Sequence, residues 1–198
     1  MTVAIVPAAG RSSRMGRPKL LLPYGDTTVL GSTVAALRAG GARELVLVVA
    51  PDDAALRDWA AANGVRSAVN PRPDDGMLTS ICAGLEALGG AEALLASGEE
   101  LLVCPGDLPR LRAETVAGLV HEARATSCGL LVPRCGKERG HPLVVRGELL
   151  REIPRLDPEV GLRQLRLLHP QLTVEVEVAD PGAVQDVDTP QDYARLLG

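Results

Sequence analysis

At 198 residues, 46% hydrophobic and 23% charged, the chain is long enough to bury one core without disulfide or metal staples and too apolar for disorder. Its formal net charge of −4 argues against the broad cationic face that general nucleic-acid binding demands. Cys82, Cys104, Cys128 and Cys135 follow no metal-ligand spacing, and neither a signal segment nor an apolar run of ~18 residues is present, so the sequence predicts one soluble, cytosolic domain over residues 1–198 with no membrane partner.

Short β-rich runs alternate with helical patterns. Strands are predicted at 3–6, 45–49, 67–70, 101–104, 130–132, 143–145 and 174–178, with helices near 29–39, 53–62, 78–88 and 113–125. The early strands are nearly unbroken apolar runs, as expected where helices cover both faces of a parallel sheet. Gly40-Gly41 and Gly64 read as helix stops. Later, the polar run Arg134 to Arg139 reads as a hairpin turn, and the alternation of valine with Glu175 and Glu177 reads as a half-exposed edge strand. The predicted fold is a three-layer α/β/α domain with a mostly parallel, mixed sheet, whose ligands sit beyond the carboxyl ends of the strands.

The first loop carries the strongest chemical signal. Positions 11 to 19 hold Arg11, Arg14, Arg17 and Lys19, while the first 25 residues contain no acid. Lys19 is one of only two lysines, against nineteen arginines. Lysine is a compact, strongly hydrated point charge, and here it ends a glycine-bracketed run directly after a strand. Backbone amides of Ala8, Ala9, Gly10 and Ser12 can wrap phosphates there without side-chain obstruction. Four cations crowded into one loop either splay into water or share an anion. The run lacks the Gly-Lys pair of a Walker A loop and is not Gly-x-Gly-x-x-Gly, so a dinucleotide reading loses its main warrant.

A second loop, Asn70 to Ser80, breaks structure with prolines and aspartates before a helix and invites base recognition. Met77, like Met15, is a soft side chain suited to a ribose or base slot or to ordinary packing; Asn70 and Ser80 offer polar contacts or caps, and Gly76 opens the turn. A third loop, Pro105-Gly106-Asp107-Leu108-Pro109, places an acid after an apolar strand, as a Mg²⁺ ligand or a turn cap. In Asp186-Val187-Asp188-Thr189-Pro190-Gln191-Asp192, Thr189 and Asp192 form a capping box, and alternation puts Asp186 and Asp188 on one side of the segment, where either can share a metal with Asp107 and Asp188 has no capping task to explain it. His141, in Gly140-His141-Pro142, donates to an acceptor phosphate or caps its turn. His121 and His169 sit in helical patterns and read as structural.

Taken in order, Pro7-Ala8-Ala9-Gly10 through Lys19, Asp75-Gly76-Met77 to Ser80, Gly106-Asp107-Leu108-Pro109, Gly140-His141-Pro142 and Asp186 to Pro190 resemble the MobA-like nucleotidyltransferases over nearly the whole chain. Within that family the likeness is greatest to the cytidylyltransferases acting on molybdenum cofactor, to which Pro7-Ala8-Ala9-Gly10 is similar; Leu108 and Gln191 replace the commoner methionine and glutamate. The resemblance implies a Rossmann-like α/β fold and Mg²⁺-dependent transfer of CMP from CTP onto the phosphate of molybdopterin. It also implies that Gly10, Arg14 and Lys19 hold the triphosphate while Asp107 and Asp188 bind the metal. A relative using GTP or another NTP with a sugar phosphate, and a noncatalytic carrier that hands cofactor to a molybdoenzyme, are the alternatives.

Overall fold

The computed structural model describes residues 1–12 and 14–198; Ser13, inside the first loop, lies outside the described residues. The chain runs β1 (Thr2–Pro7), β2 (Pro23–Tyr24), β3 (Thr27–Thr28), α1 (Val29–Ala39), β4 (Ala42–Val49), α2 (Ala54–Ala62), β5 (Arg66–Val69), α3 (Met77–Ala87), α4 (Gly90–Ser97), β6 (Glu100–Val103) and α5 (Ala113–Ala125). It continues through β7 (Leu130–Cys135), β8 (Glu138–Arg139), β9 (Leu143–Val145), α6 (Leu149–Glu152), α7 (Arg163–Leu168), β10 (Thr173–Glu177) and α8 (Pro190–Leu197). Every strand and helix expected from the sequence is present, with ends shifted by a few residues. The short helices α4, α6 and α7 and the β2–β3 ribbon carry too little periodicity to be read.

The main sheet has the order β10-β7-β9-β6-β1-β4-β5, with β8 paired to β7 off this path. β9 runs antiparallel to both β6 and β7, whereas β10–β7, β6–β1, β1–β4 and β4–β5 are parallel. Strand alternation divides the core between two faces. Ala4, Val6, Leu45, Leu47 and Leu102 pack under α1, α2 and α5. Val3, Ile5, Val46, Leu101 and Val103 pack under α3, α4, α6 and α7. The outcome is the expected α/β/α sandwich, because strands that are apolar on both sides need helices on both sides. Among the described residues no single helix is long and apolar enough to cross a membrane.

One reversed strand, β9, matters for function. β9 lies antiparallel beside β6 with Leu143 opposite Val103, so its amino end arrives where β6 ends. That register delivers Arg139, Gly140 and His141 to the same sheet edge as Asp107. Two backbone ties hold the arrangement: His141 N–H donates to the Ala183 carbonyl at 2.8 Å, and Val187 N–H donates to the Asp107 carbonyl at 3.1 Å. Asp180, buried at 2% exposure, fixes this carboxyl-terminal segment by accepting from Gly182 N, Arg112 N and the Thr115 hydroxyl.

Gly140 has no room for a side chain, since a Cβ there would stand 2.2 Å from the Ala183 carbonyl oxygen. Backbone cannot yield as a flexible side chain does. Gly140→Ala should therefore destabilise the protein by about 3 kcal/mol, read as a lowered urea midpoint.

Candidate active site

The first loop turns sharply. Ser12 stands at φ +48°, a region few residues other than glycine adopt, and its carbonyl accepts from Met15 N at 3.0 Å and Gly16 N at 3.1 Å. Ser12 Oγ accepts from Lys19 N at 3.5 Å. These bonds fold the run back so that Lys19 points across the carboxyl end of β6. Its Nζ lies 2.5 Å from Asp107 Oδ2 and 2.6 Å from Asp188 Oδ1, and Arg14 reaches the other Asp188 oxygen at 2.7 Å. Two cations from the opening loop thus meet two carboxylates from segments far along the chain.

Burial sharpens the electrostatics. The side chains of Lys19 and Asp107 are each 14% exposed. Burial works against the lysine charge, but Asp107 and Asp188 outweigh it and hold the ammonium above the ordinary lysine value. Asp186 is pushed up, by burial first and then by the neighbouring charges of Asp188 and Asp107. Asp107 Oδ1 is buried without a hydrogen-bond partner. A buried carboxylate oxygen left unpaired is costly, and a bound cation would relieve it.

A cavity of about 490 Å³ surrounds this cluster. Of the residues named from the sequence as ligand or metal contacts, all line it except Arg11, Asn70 and Met15. Arg11 instead turns outward to a two-point pair with Asp74 at 2.9 and 3.0 Å. The Asn70 carboxamide is consumed within its own turn, donating to Thr79 Oγ1 and Ser80 Oγ and accepting from Arg72 N. The crowded cations therefore divide: Lys19 and Arg14 share Asp188, while Arg11 turns out toward water and Asp74. Arg17 lies over the Tyr193 ring, 5.5 Å from its centroid.

The two methionines separate. Met77 lines the cavity and is 50% exposed, whereas Met15 is 5% exposed and packs with Val29, Val187 and Leu196. Thr189 and Asp192 form the expected capping box on α8. Outside the cavity, His169 is tied to Glu152 at 2.7 Å. Sequence reasoning misses Arg139, Pro73 and Ala183 on the cavity wall. Nothing in their local spacing marks them, and only the reversed β9 and the Asp180 anchor bring two of them in.

His141 lines the cavity, and burial pushes its imidazole down to about 4, against a smaller upward pull from Asp107. It is therefore neutral at pH 7. An unfolded histidine titrates near 6.5, so between pH 6.5 and 4 the unfolded chain holds a proton that the folded protein refuses. This contribution to stability is complete above pH 6.5 and shrinks as pH falls. From pH 7 to 4.5 the protein should lose about 2 kcal/mol more than His141→Gln does, measured by urea unfolding.

Comparisons with known proteins show what the chain is similar to. Nicotine blue oxidoreductase of Paenarthrobacter nicotinovorans is 30% identical over 201 residues, covering 98% of this chain and 95% of that protein. Molybdenum cofactor cytidylyltransferase of Escherichia coli is 26% identical over 189 residues, covering 96% and 92%. Among solved structures, Rv0371c of Mycobacterium tuberculosis superposes with a TM-score of 0.76 at 31% identity, covering 100% of this chain and 97% of that one. Its complex with manganese gives 0.71 at 29% identity, covering 99% and 97%. The family described as MobA-like NTP transferase domain matches residues 4–174, spanning the first loop, the Asp107 loop and His141, and the chain belongs to that family of nucleotidyltransferases.

Proposed function

We propose that the protein transfers CMP from CTP to the phosphate of molybdopterin and releases pyrophosphate, with Mg²⁺ as the metal. The observation that carries this reading is the convergence of Lys19 and Arg14 with Asp107 and Asp188 in one cavity. The choice of CTP leans on Pro7-Ala8-Ala9-Gly10 and on the cytidylyltransferase relative.

The residues present fit a divalent ion. Asp107 has an oxygen in want of a partner, and Asp107 and Asp188 already share the positive charge of Lys19. Among the described residues no three His, Cys, Asp or Glu side chains could hold a metal by themselves. That suits magnesium, which takes one or two protein carboxylates and fills its remaining positions with phosphate oxygens and water. When bound, the ion supplies charge neutralisation on the transferring and departing phosphates.

The chain's own groups supply the rest. Gly10 leaves the loop open beside the triphosphate, and Lys19 and Arg14 offset the charge on the departing pyrophosphate. An acceptor phosphate oxygen attacks the α-phosphorus, a P–O bond forms, and the bond to the β-phosphate oxygen breaks. Two unit charges about 4 Å apart repel by ~4 kcal/mol at an effective dielectric near 20, so fixed cations carry much of the work.

The test is pyrophosphate release with CTP, GTP, ATP and UTP against molybdopterin and a set of sugar phosphates. Turnover with CTP and molybdopterin alone supports the proposal; preference for another pair replaces it with the corresponding transferase. Tight molybdopterin binding without pyrophosphate release would favour a carrier. The 30% identity to an oxidoreductase favours a second reading, hydride transfer to an aromatic dye, which NADH or NADPH oxidation without any NTP would reveal.

A further inference from the structure

Beside the nucleotide cavity lies a larger one of about 1200 Å³. Gly76, Met77, Arg139, Gly140 and His141 line both. The larger cavity has an apolar floor made by Val103 of β6, Leu130 and Val132 of β7 and Leu143 of β9. Its far wall is the segment 157–163, which closes against the start of α3: a Cβ on Gly76 would come within 3.3 Å of the Pro158 carbonyl. An apolar floor with polar walls suits a ring-bearing body that lays one flat face on the floor and turns its polar edges to the walls.

Arg139 is the only residue with a fixed charge among the five at the junction, since the His141 imidazole is neutral at pH 7. Lys19 and Arg14 are engaged with Asp107 and Asp188 inside the smaller cavity. The mouth, where two phosphates would have to approach, thus depends on Arg139 for positive charge.

Arg139 does not stand there unaided. In the β7–β8 hairpin it sits opposite Arg134, an arrangement of like charges that calls for an anion. Glu175 on the adjoining edge strand supplies it, 2.6 Å from Arg139 Nε and 3.8 Å from Arg134 Nε. Glu177 completes the clamp, 2.7 Å from Arg134 Nη2 and 2.9 Å from Gly136 N, which donates to it. These pairs are partly exposed and add little to stability, so their effect is on aim rather than on folding.

We propose that the larger cavity is the acceptor pocket, shaped for a phosphate monoester with a broad, ring-bearing body, that Arg139 binds the acceptor's phosphate at its mouth, and that Glu175 is the positioning residue that aims Arg139. This rests on nucleotidyl transfer at the smaller cavity.

The experiment follows pyrophosphate release with CTP and molybdopterin, alongside calorimetric CTP binding. Arg139→Gln should lower kcat/KM for the acceptor by about 100-fold while leaving CTP affinity within about twofold of the parent. Arg139→Lys, which keeps the charge but not the fork, should fall between them, and added guanidinium should restore part of the Arg139→Gln loss. Glu175→Gln should cost about 10-fold in the same constant, and the double variant should match Arg139→Gln alone. Unchanged acceptor kinetics in Arg139→Gln, a parallel loss of CTP affinity, or multiplying losses in the double variant would overturn the inference and leave the transferase reading standing. If the unmodified protein releases no pyrophosphate with any NTP and acceptor, the transferase reading fails and the inference falls with it.

Discussion

Lys19→Met should reduce nucleotidyl transfer by about 10³-fold, and it should at the same time make the protein bind a divalent ion more tightly in the absence of nucleotide. The two effects have one cause. The Lys19 ammonium lies 2.5 Å from Asp107 and 2.6 Å from Asp188, so it already neutralises the carboxylates that a metal would use. Methionine keeps the length of the stem and removes the charge. With the lysine gone, Asp107, Asp188 and the nearby Asp186 repel one another, and Mn²⁺ or Mg²⁺ becomes their available counter-ion. The variant should melt lower than the parent without metal and regain much of that loss when metal is added, a response the parent should show only weakly. Turnover does not recover, because the triphosphate has lost its lysine. Electron paramagnetic resonance of free Mn²⁺ during titration reads the affinity directly. Equal Mn²⁺ affinity in the two proteins would show that the ammonium does not stand in for the ion, and near-normal CTP turnover by the variant would remove Lys19 from the reaction.

Asp107→Asn is expected to have the next largest effect, a loss of about 10³-fold in turnover at saturating Mg²⁺. The substitution keeps shape and the bond to Lys19 Nζ through the amide oxygen, but lowers the negative charge at the one site where, among the described residues, a buried carboxylate oxygen lacks a partner. Stability should change little, because relief of repulsion with Asp186 offsets the weaker pairing with Lys19. CTP binding measured without metal should be retained or improved, since a negative charge has been removed from a triphosphate site. Asp188→Asn is a less clean test, as Asp188 also holds Arg14. The deciding measurement is the Mg²⁺ dependence of pyrophosphate release, and a wild-type curve from Asp107→Asn would exclude that carboxylate as the metal's seat.

Much of this site is legible in the amino-acid sequence, for identifiable reasons. β1 announces itself as an apolar run because both its faces are buried, and the loop that follows is marked by four cations without an acid. The capping box at Thr189 and Asp192 is a local motif within four residues, so it can be read locally. Once it accounts for Asp192, Asp188 stands out as an acid without a local task. Arg139 is illegible. It sits in a strand of two residues inside a polar turn, and its place between two cavities depends on β9 running backwards. Asn70 reads two ways, as a recognition group or as a turn former, and its bonds to Thr79, Ser80 and Arg72 are ones that shape the loop itself. Met15 and Met77 look equivalent in sequence and are not, because Met15 faces the small core formed with Val29, Val187 and Leu196.

By itself, the amino-acid order determined the alternation of strands and helices, the burial of the sheet on both faces, and the types of group at the carboxyl ends of β1 and β6. Those are consequences of periodicity and local charge, which act over a few residues. The tertiary structure decided which of those groups meet: that Lys19 bridges Asp107 and Asp188, that Arg11 leaves the site for Asp74, and that Arg139 joins it. Such meetings depend on strand order, on one antiparallel register and on backbone ties between segments distant along the chain, and no local pattern encodes them.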